Sequence, residues 1–291
     1  MLMYVIMGGT GHIGSATANI LLSLGKAVTI VSRNSGHAGG WRKKGAEIVE
    51  ADLNDVSSLH AALRRGRRAL LLNPPADPTT DTDAVEKRTV ASILEALAGS
   101  GLEKVVAVST GGAQSGDRIG DLNTLWEFEE GLRRQPIPTA INRGAYYMSN
   151  WDGLLDTVRA TGKLPSMFPA ELSVPMVAPQ DLGRFAADRL LSGTDDVGVR
   201  YMEGPERYSP ADVARAFSEA LGRPIDVEVK PRAEWYDGFL QLGFSEAAAL
   251  SYTRMTELCV DNGFDMPADA SRGAITLERY IDSLVVRAAK N

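Results

Sequence analysis

The chain has 291 residues, 44% of them apolar, with 37 acidic against 31 basic side chains and a net charge of −6. That length buries a full core, in one large domain or two joined lobes, while the dispersed Lys and Arg residues offer no basic face to nucleic acid. One cysteine, Cys259, excludes a disulfide framework, and no apolar run reaches bilayer length or precedes a cleavage site, so a soluble, cytoplasmic protein is expected, without membrane partners.

In chain order, the apolar run Tyr4–Met7 is the first candidate strand. A glycine-rich turn follows, and then Ile13, Ala16, Ile20, Leu21 and Leu24 fall on one helical face until Gly25 stops it. Strands are expected at "AVTIVS", "AEIVEAD" and "ALLLN". The stretch from Asp81 to Gly99 carries Val90, Ile93, Leu94 and Leu97 at helical spacing, and "KVVAVST" is a fifth strand. Apolar strands alternating with amphipathic helices give an α/β fold, a Rossmann-type doubly wound parallel sheet covered on both faces.

After Pro136 the rhythm changes. "PTAINRGAYYMSNW" reads as a strand running into a loop. "SPADVARAFSEALGRP" is a capped helix with Ser209 at the cap, Pro210 at its first position and Gly222 past its end, between strands "GVRYMEG" and "IDVEVKP". The expected division is a nucleotide-binding domain over 1–150 and a smaller α+β substrate lobe over 151–291. The stretch from about 174 to 192 is expected to return to the first domain.

The turn Gly8-Gly9-Thr10-Gly11-His12-Ile13-Gly14 sets Gly8, Gly11 and Gly14 in the pattern G-x-x-G-x-x-G between a strand and a helix. Such glycines permit a tight turn, close approach of backbone to a pyrophosphate and close helix–strand packing. The helix N-terminus adds unpaired N–H groups and a positive dipole end for the phosphates. At the end of the second strand, where an NAD-binding fold places Asp or Glu, stands Arg33 in "SRN". A planar guanidinium there suits a 2′-phosphate, so NADP(H) is expected in preference to NAD(H).

With this turn, Arg33, "EADLND" and "VAVSTGGA", the chain resembles the atypical short-chain dehydrogenases/reductases, and within them the NmrA-like family. That group includes quinone, triphenylmethane-dye and azo reductases and NADP-sensing regulators. "INRGAYYMSNW", "VPMVAPQDLGRFAA" and "EGPERYSPADVARAFSEALGRPI" are similar to later motifs of the family, so the resemblance covers most of the chain. It implies cofactor contacts at the glycine turn, at Arg33, at Asp52 and Leu53, at Asn73, Pro74 and Pro75, and at Ser109 and Thr110.

The departures bear on chemistry. Ordinary short-chain reductases use Tyr-x-x-x-Lys, and no tyrosine of this chain has lysine four residues on. "DLNTLWEFEEGLRR", where relatives keep an active-site lysine, contains neither Lys nor Tyr. Arg143 survives in the motif that follows, but the next positions are Gly144 and Ala145. The three histidines and single cysteine show no zinc-ligand spacing, and G-x-S-x-G is absent, which argues against metal-dependent and Ser/His hydrolysis. His12 is expected beside the phosphates, and Trp151 in core packing.

Tyr146, Tyr147 and Asn150, with Arg143, are the candidates for contact with an apolar or aromatic small-molecule substrate, and the two tyrosines are the candidates for catalysis. Trp235, Tyr236, Phe239, Met255 and Leu258 suit either a cover over that substrate or helical core. The expected activity is NADPH-dependent hydride transfer to a flat, conjugated, quinone-like acceptor. The alternative is an NADP(H)-sensing regulatory protein without turnover. A homodimer is compatible with either.

Overall fold

The computed structural model describes residues 3–33, 36, 39–264 and 266–289. Its first half alternates strand and helix in the order β1 (Met3–Met7), α1 (His12–Ser23), β2 (Ala27–Ser32), α2 (Gly39–Lys43), β3 (Glu47–Glu50), α3 (Val56–Leu63), β4 (Arg68–Leu71), α4 (Thr82–Ala96), β5 (Lys104–Thr110), α5 (Asp121–Arg133) and β6 (Thr139–Gly144). Two strands are shorter than their apolar runs. β3 stops at Glu50 because Asp52 enters a turn, its carbonyl accepting from Asp55 N–H at 3.1 Å. β4 stops at Leu71, ahead of the Pro74-Pro75 pair, which has no N–H to extend a ladder.

The second half contains β7 (Tyr146–Tyr147), a 3-10 turn over Met148–Leu154, α6 (Leu155–Thr161), β8 (Lys163–Ser166), β9 (Val174–Val177), α7 (Pro179–Leu191), β10 (Gly198–Glu203), β11 (Arg207–Tyr208), α8 (Pro210–Leu221), β12 (Asp226–Val229), α9 (Trp235–Gln241), α10 (Glu246–Asn262), β13 (Ser271–Arg272) and α11 (Leu277–Ala288). The cap of α8 forms as its sequence requires. Ser209 Oγ accepts from Asp212 N–H, Asp212 accepts from Ser209 N–H, and Gly222 closes the helix at φ +65°.

The main sheet has the order β13-β10-β6-β5-β4-β1-β2-β3, with parallel pairing throughout. The chain runs outward from β1 to β3, then returns to β4 on the other side of β1. That reversal opens a crevice beyond the carboxyl ends of β1 and β4, where ligands bind in such sheets. Alternate residues of β1 serve opposite faces: Val5 and Met7 join the layer of α3, α4 and α5, while Tyr4 and Ile6 join the layer of α1 and α7. On the second face Gly183 of α7 faces Ala16 of α1 so closely that a Cβ on Gly183 would lie 2.4 Å from the alanine methyl.

β10 and β13 lie in the main sheet, and of the stretch 174–192 only α7 packs against that sheet, while β9 joins the three-stranded sheet. What remains is the smaller lobe: a three-stranded sheet β11-β9-β7, a strand pair β12-β8, and a third core that includes Trp151, Phe168, Phe217 and Tyr280. The two lobes meet over the crevice.

Candidate functional site

The glycine turn forms one end of the site. Gly8 has φ +63°, a backbone conformation that side chains disfavour, and its carbonyl accepts from Gly11 N–H at 2.9 Å. A Cβ on Gly14 would lie 2.3 Å from the Gly8 carbonyl oxygen, so only glycine lets α1 start this close to the turn. Gly11 is the N-cap of α1 and brings no side-chain acceptor, which leaves the first N–H groups of the helix facing the crevice.

A cavity of about 890 Å³ begins at this turn and runs into the second lobe. Of the positions expected to touch a cofactor, Gly8, Thr10, Gly11, His12, Ile13, Gly14, Arg33, Leu53, Asn73, Pro74, Pro75 and Thr110 line it. Asn73 Oδ1 is buried there without a hydrogen-bond partner among the described residues. Three expected positions do not line it. Gly9 packs on Ile30, whose methyl a Cβ would meet at 2.7 Å. Asp52 points its carboxylate back to accept from Asn54 N–H at 2.9 Å. Ser109 is buried and donates to Glu129 Oε1 at 2.6 Å.

The far end of the cavity is aromatic. Tyr146 stacks edge-on against Phe168 at 5.5 Å and Phe264 at 6.2 Å, with Trp151 at 6.0 Å. A second group, Phe239, Phe244 and Tyr252, packs with centroids 5.0–5.7 Å apart. All seven rings line the cavity, as do Asn150 and Met255. Trp235, Tyr236 and Leu258 of the aromatic stretch do not; Trp235 is buried and donates to Lys230 O at 3.0 Å. Burial pushes the Tyr146 phenol up to about 12, against a hydrogen bond with Asn150. Burial and the nearby Asp121 charge push Tyr147 higher still. Both shifts run opposite to the lowering that a proton-relaying phenol requires.

Arg143 does not line the cavity. Its Nε and Nη2 donate to the two carboxylate oxygens of fully buried Glu129, each at 2.8 Å. Nη1 donates to Tyr201 Oη at 2.8 Å and Nη2 also to Ala113 O at 3.1 Å. A bidentate pair of this kind ties β6 to α5 and β10.

Three carboxyls outside the set expected from the sequence gather at this end of the site. Asp83 and Glu86 continue the stripe Val90, Ile93 and Leu97 of α4 into its first turns, so they are buried where apolar residues are expected. Asp121, the first residue of α5, lies within hydrogen-bonding reach of Glu86 and lines the cavity. Acidic residues on an apolar stripe were the available signal. Glu86 accepts from Ala76 N–H at 3.1 Å and Thr124 Oγ1 at 2.9 Å. Burial, then the Asp121 charge, raises its carboxyl to about 7. Burial raises Asp121 as well. Among the described residues no group of three His, Cys, Asp or Glu side chains is placed to hold a metal, and no helix is long and apolar enough to cross a membrane.

The model of the NmrA-like family matches residues 3–283, and the chain belongs to that family. A relative named NAD(P)H azoreductase, from Xenophilus azovorans, is 25% identical over 224 residues, covering 77% of this chain and 75% of its own. The structure of the Citrobacter sp. triphenylmethane reductase complexed with NADP(H) superimposes with TM-score 0.80 at 17% identity, covering 98% of this chain and all of that one. The structure of NmrA, a negative transcriptional regulator, in complex with NADP gives TM-score 0.75 at 13% identity, covering 99% and 97%. Reductases and a regulator thus share the fold of this chain, including its glycine turn and following helix.

Proposed function

We propose that this protein is a cytoplasmic NADPH-dependent reductase of a flat, conjugated, apolar acceptor of the quinone class. The observation that carries the reading is the continuity of one cavity from the glycine turn to two aromatic clusters. Its volume falls within the usual range for small-molecule sites, and its wall has the mostly apolar, sparsely polar make-up of such sites. The residues present fit a dinucleotide: Gly14 leaves a cradle that a Cβ would fill, and Asn73 Oδ1 awaits a donor.

The turn Gly8–Gly14 and the start of α1 would hold the pyrophosphate, Leu53 would lie beside the adenine, and Asn73–Pro75 and Thr110 would line the remaining length. Arg33 would pair with a 2′-phosphate. A reduced nicotinamide supplies hydride when bound. The chain's own part is to position the acceptor and exclude water. Tyr146 and Phe168 offer ring faces and edges to a planar molecule, and Asn150 and Tyr147 offer neutral hydrogen-bond donors.

One observation favours a second reading, an NADP(H)-sensing regulator without turnover. Neither Tyr146 nor Tyr147 is activated, and no Tyr-x-x-x-Lys pair exists.

Reduced-nucleotide absorbance, followed with quinones, azo dyes and conjugated enones, separates the two. Saturable consumption with one acceptor class, faster with NADPH than NADH, is expected. Tight binding of NADPH without acceptor-dependent consumption would overturn the reductase. In the same assay Arg33→Asp is expected to weaken NADPH binding by roughly 10- to 100-fold, the worth of about 1.4–3 kcal/mol of charge-assisted pairing, while leaving NADH nearly unchanged. Equal losses for both nucleotides would remove the 2′-phosphate assignment.

A further inference from the structure

The lining side chains other than Asp121 give the proposed reductase no evident acid. His12 sits in the glycine turn, Arg33 is a permanent cation, and Tyr146, Tyr147, Tyr252 and Cys259 are all pushed toward their neutral forms by burial. Asp121 is the one carboxyl among the described residues that line the cavity.

We propose that the Asp121–Glu86 pair is the proton donor of the reaction, with Asp121 facing the acceptor and Glu86 holding the proton in reserve behind it. This rests on the reductase reading. Three placements carry it. Asp121 lies on the cavity wall in company with Leu122 and Leu125 of α5 and with Tyr252 of α10. Glu86, only 3% exposed, is screened from bulk water and anchored by Ala76 N–H and Thr124 Oγ1. Asp83, 5% exposed, is buried one helical turn before Glu86, and neither of its carboxylate oxygens has a partner among the described residues.

Two carboxyls this close cannot both ionise cheaply, so the Asp121–Glu86 pair holds a proton more tightly than a free carboxyl, and the titration belongs to the pair. The charged and titratable groups around the pair are Asp83 on α4, Tyr147 on β7, Tyr252 on α10, and Arg118, which is held by Asp81. Arg118 donates both Nη groups to Asp81, and among the described residues no ion pair joins a cation to Asp121 or Glu86.

An acceptor that has gained hydride, two electrons and one hydrogen from a reduced nicotinamide nucleotide, carries the displaced electron pair on its oxygen or nitrogen. That atom forms an O–H or N–H bond as the Asp121 O–H bond breaks. Asp121 is left as carboxylate, favoured by its place in the first turn of α5. It recovers a proton from Glu86, and the pair is reprotonated through Asp121 by water that enters the cavity after the product leaves. The sum is acceptor, reduced nucleotide and one proton giving dihydro-acceptor and oxidised nucleotide.

The test begins on the nucleotide-free protein with difference infrared spectroscopy between pH 5 and 9. A protonated-carboxyl C=O band that persists to about pH 7 in the wild type and is lost or displaced in Asp121→Asn and in Glu86→Gln is expected. A wild type with no protonated carboxyl above pH 6 overturns the inference. Turnover then follows. Asp121→Asn is expected to lower kcat by about 10²-fold with KM and NADPH affinity changed less than about 2-fold. Glu86→Gln is expected to displace the alkaline limb of the kcat profile. Wild-type kcat and an unchanged pH profile in Asp121→Asn would defeat the proton-donor role alone. A wild type that consumes no reduced nucleotide with any acceptor defeats the reductase reading, and the donor role with it.

Discussion

At the N-terminal edge of the main sheet buried Lys104 and Arg189 meet half-buried Asp196; at the C-terminal edge buried Asp83 and Glu86 meet half-buried Asp121. The first trio joins opposite charges and satisfies them. Lys104 Nζ donates to Ser192 Oγ at 2.8 Å and Gly193 O at 2.7 Å. Arg189 donates to Ile141 O, Asn142 Oδ1, Gly198 O and Val197 O, and to Asp196 at 3.1 Å. The second trio joins like charges, and Asp83 has no partner for either oxygen among the described residues. One cluster binds β5, β6, α7 and β10 into a frame. The other stores a proton beside the cavity. Buried charge serves stability where it is paired and chemistry where it is frustrated.

The largest expected effect breaks the paired cluster. Asp196→Ala strands Lys104 and Arg189 without their carboxylate and should cost about 3–5 kcal/mol in urea unfolding, with nucleotide affinity intact in the folded fraction. A loss below about 1 kcal/mol would mean that the backbone carbonyls suffice.

A smaller effect separates the clusters by the sign of their pH dependence. Burial works against Asp196 ionisation, but hydrogen bonds from Ser192 and Arg189 outweigh it and hold the carboxyl below its ordinary value. Its contribution is therefore present above the ordinary carboxylate pKa and lost as pH falls through the folded value. Glu86 is raised from 4.5 to about 7, so its contribution is complete below about 4.5 and lost as pH rises through about 7. Glu86→Gln should flatten the decline between pH 5 and 8, gaining on the order of 3 kcal/mol over the wild type at pH 8. A parallel decline in that variant would place the titration elsewhere.

The smallest effect sharpens the role of Asp83. Asp83→Asn removes a like charge next to the pair and should stabilise the protein by up to about 1 kcal/mol at pH 8, with little change at pH 5. It should also shift the infrared titration of Glu86 and Asp121 downward. Destabilisation at both pH values would show that Asp83 is held by partners instead.

Much of the first lobe was legible in the residues. Strands β2 and β5 match their apolar runs residue for residue, and the α8 cap matches its Ser-Pro start and Gly stop, because local patterning and turn chemistry fix such elements. The glycine turn was legible for the same reason: Gly14 answers to the Gly8 carbonyl six residues before it, and Gly8 to its own φ of +63°. Beyond the turn the cavity wall was legible in part, at Arg33, Leu53, Asn73–Pro75, Thr110, Tyr146, Tyr147 and Asn150. Arg143 read as a substrate contact, yet Glu129, fourteen positions away on another element, turns it inward. Asp121 had no distinguishing mark, since an acid at the first position of a helix is ordinary capping chemistry.

The sequence by itself determined the alternation of strand and helix, the doubly wound class, the tight glycine turn and the family, because each depends on periodicity or on contacts between near neighbours. Tertiary structure alone decided that β10 and β13 close the main sheet, that two aromatic clusters share one cavity, and that Asp83 and Glu86 meet Asp121. Those outcomes depend on the field and volume that distant segments create together. A carboxyl's proton affinity is set by what surrounds it in space, and no spacing along the chain records that.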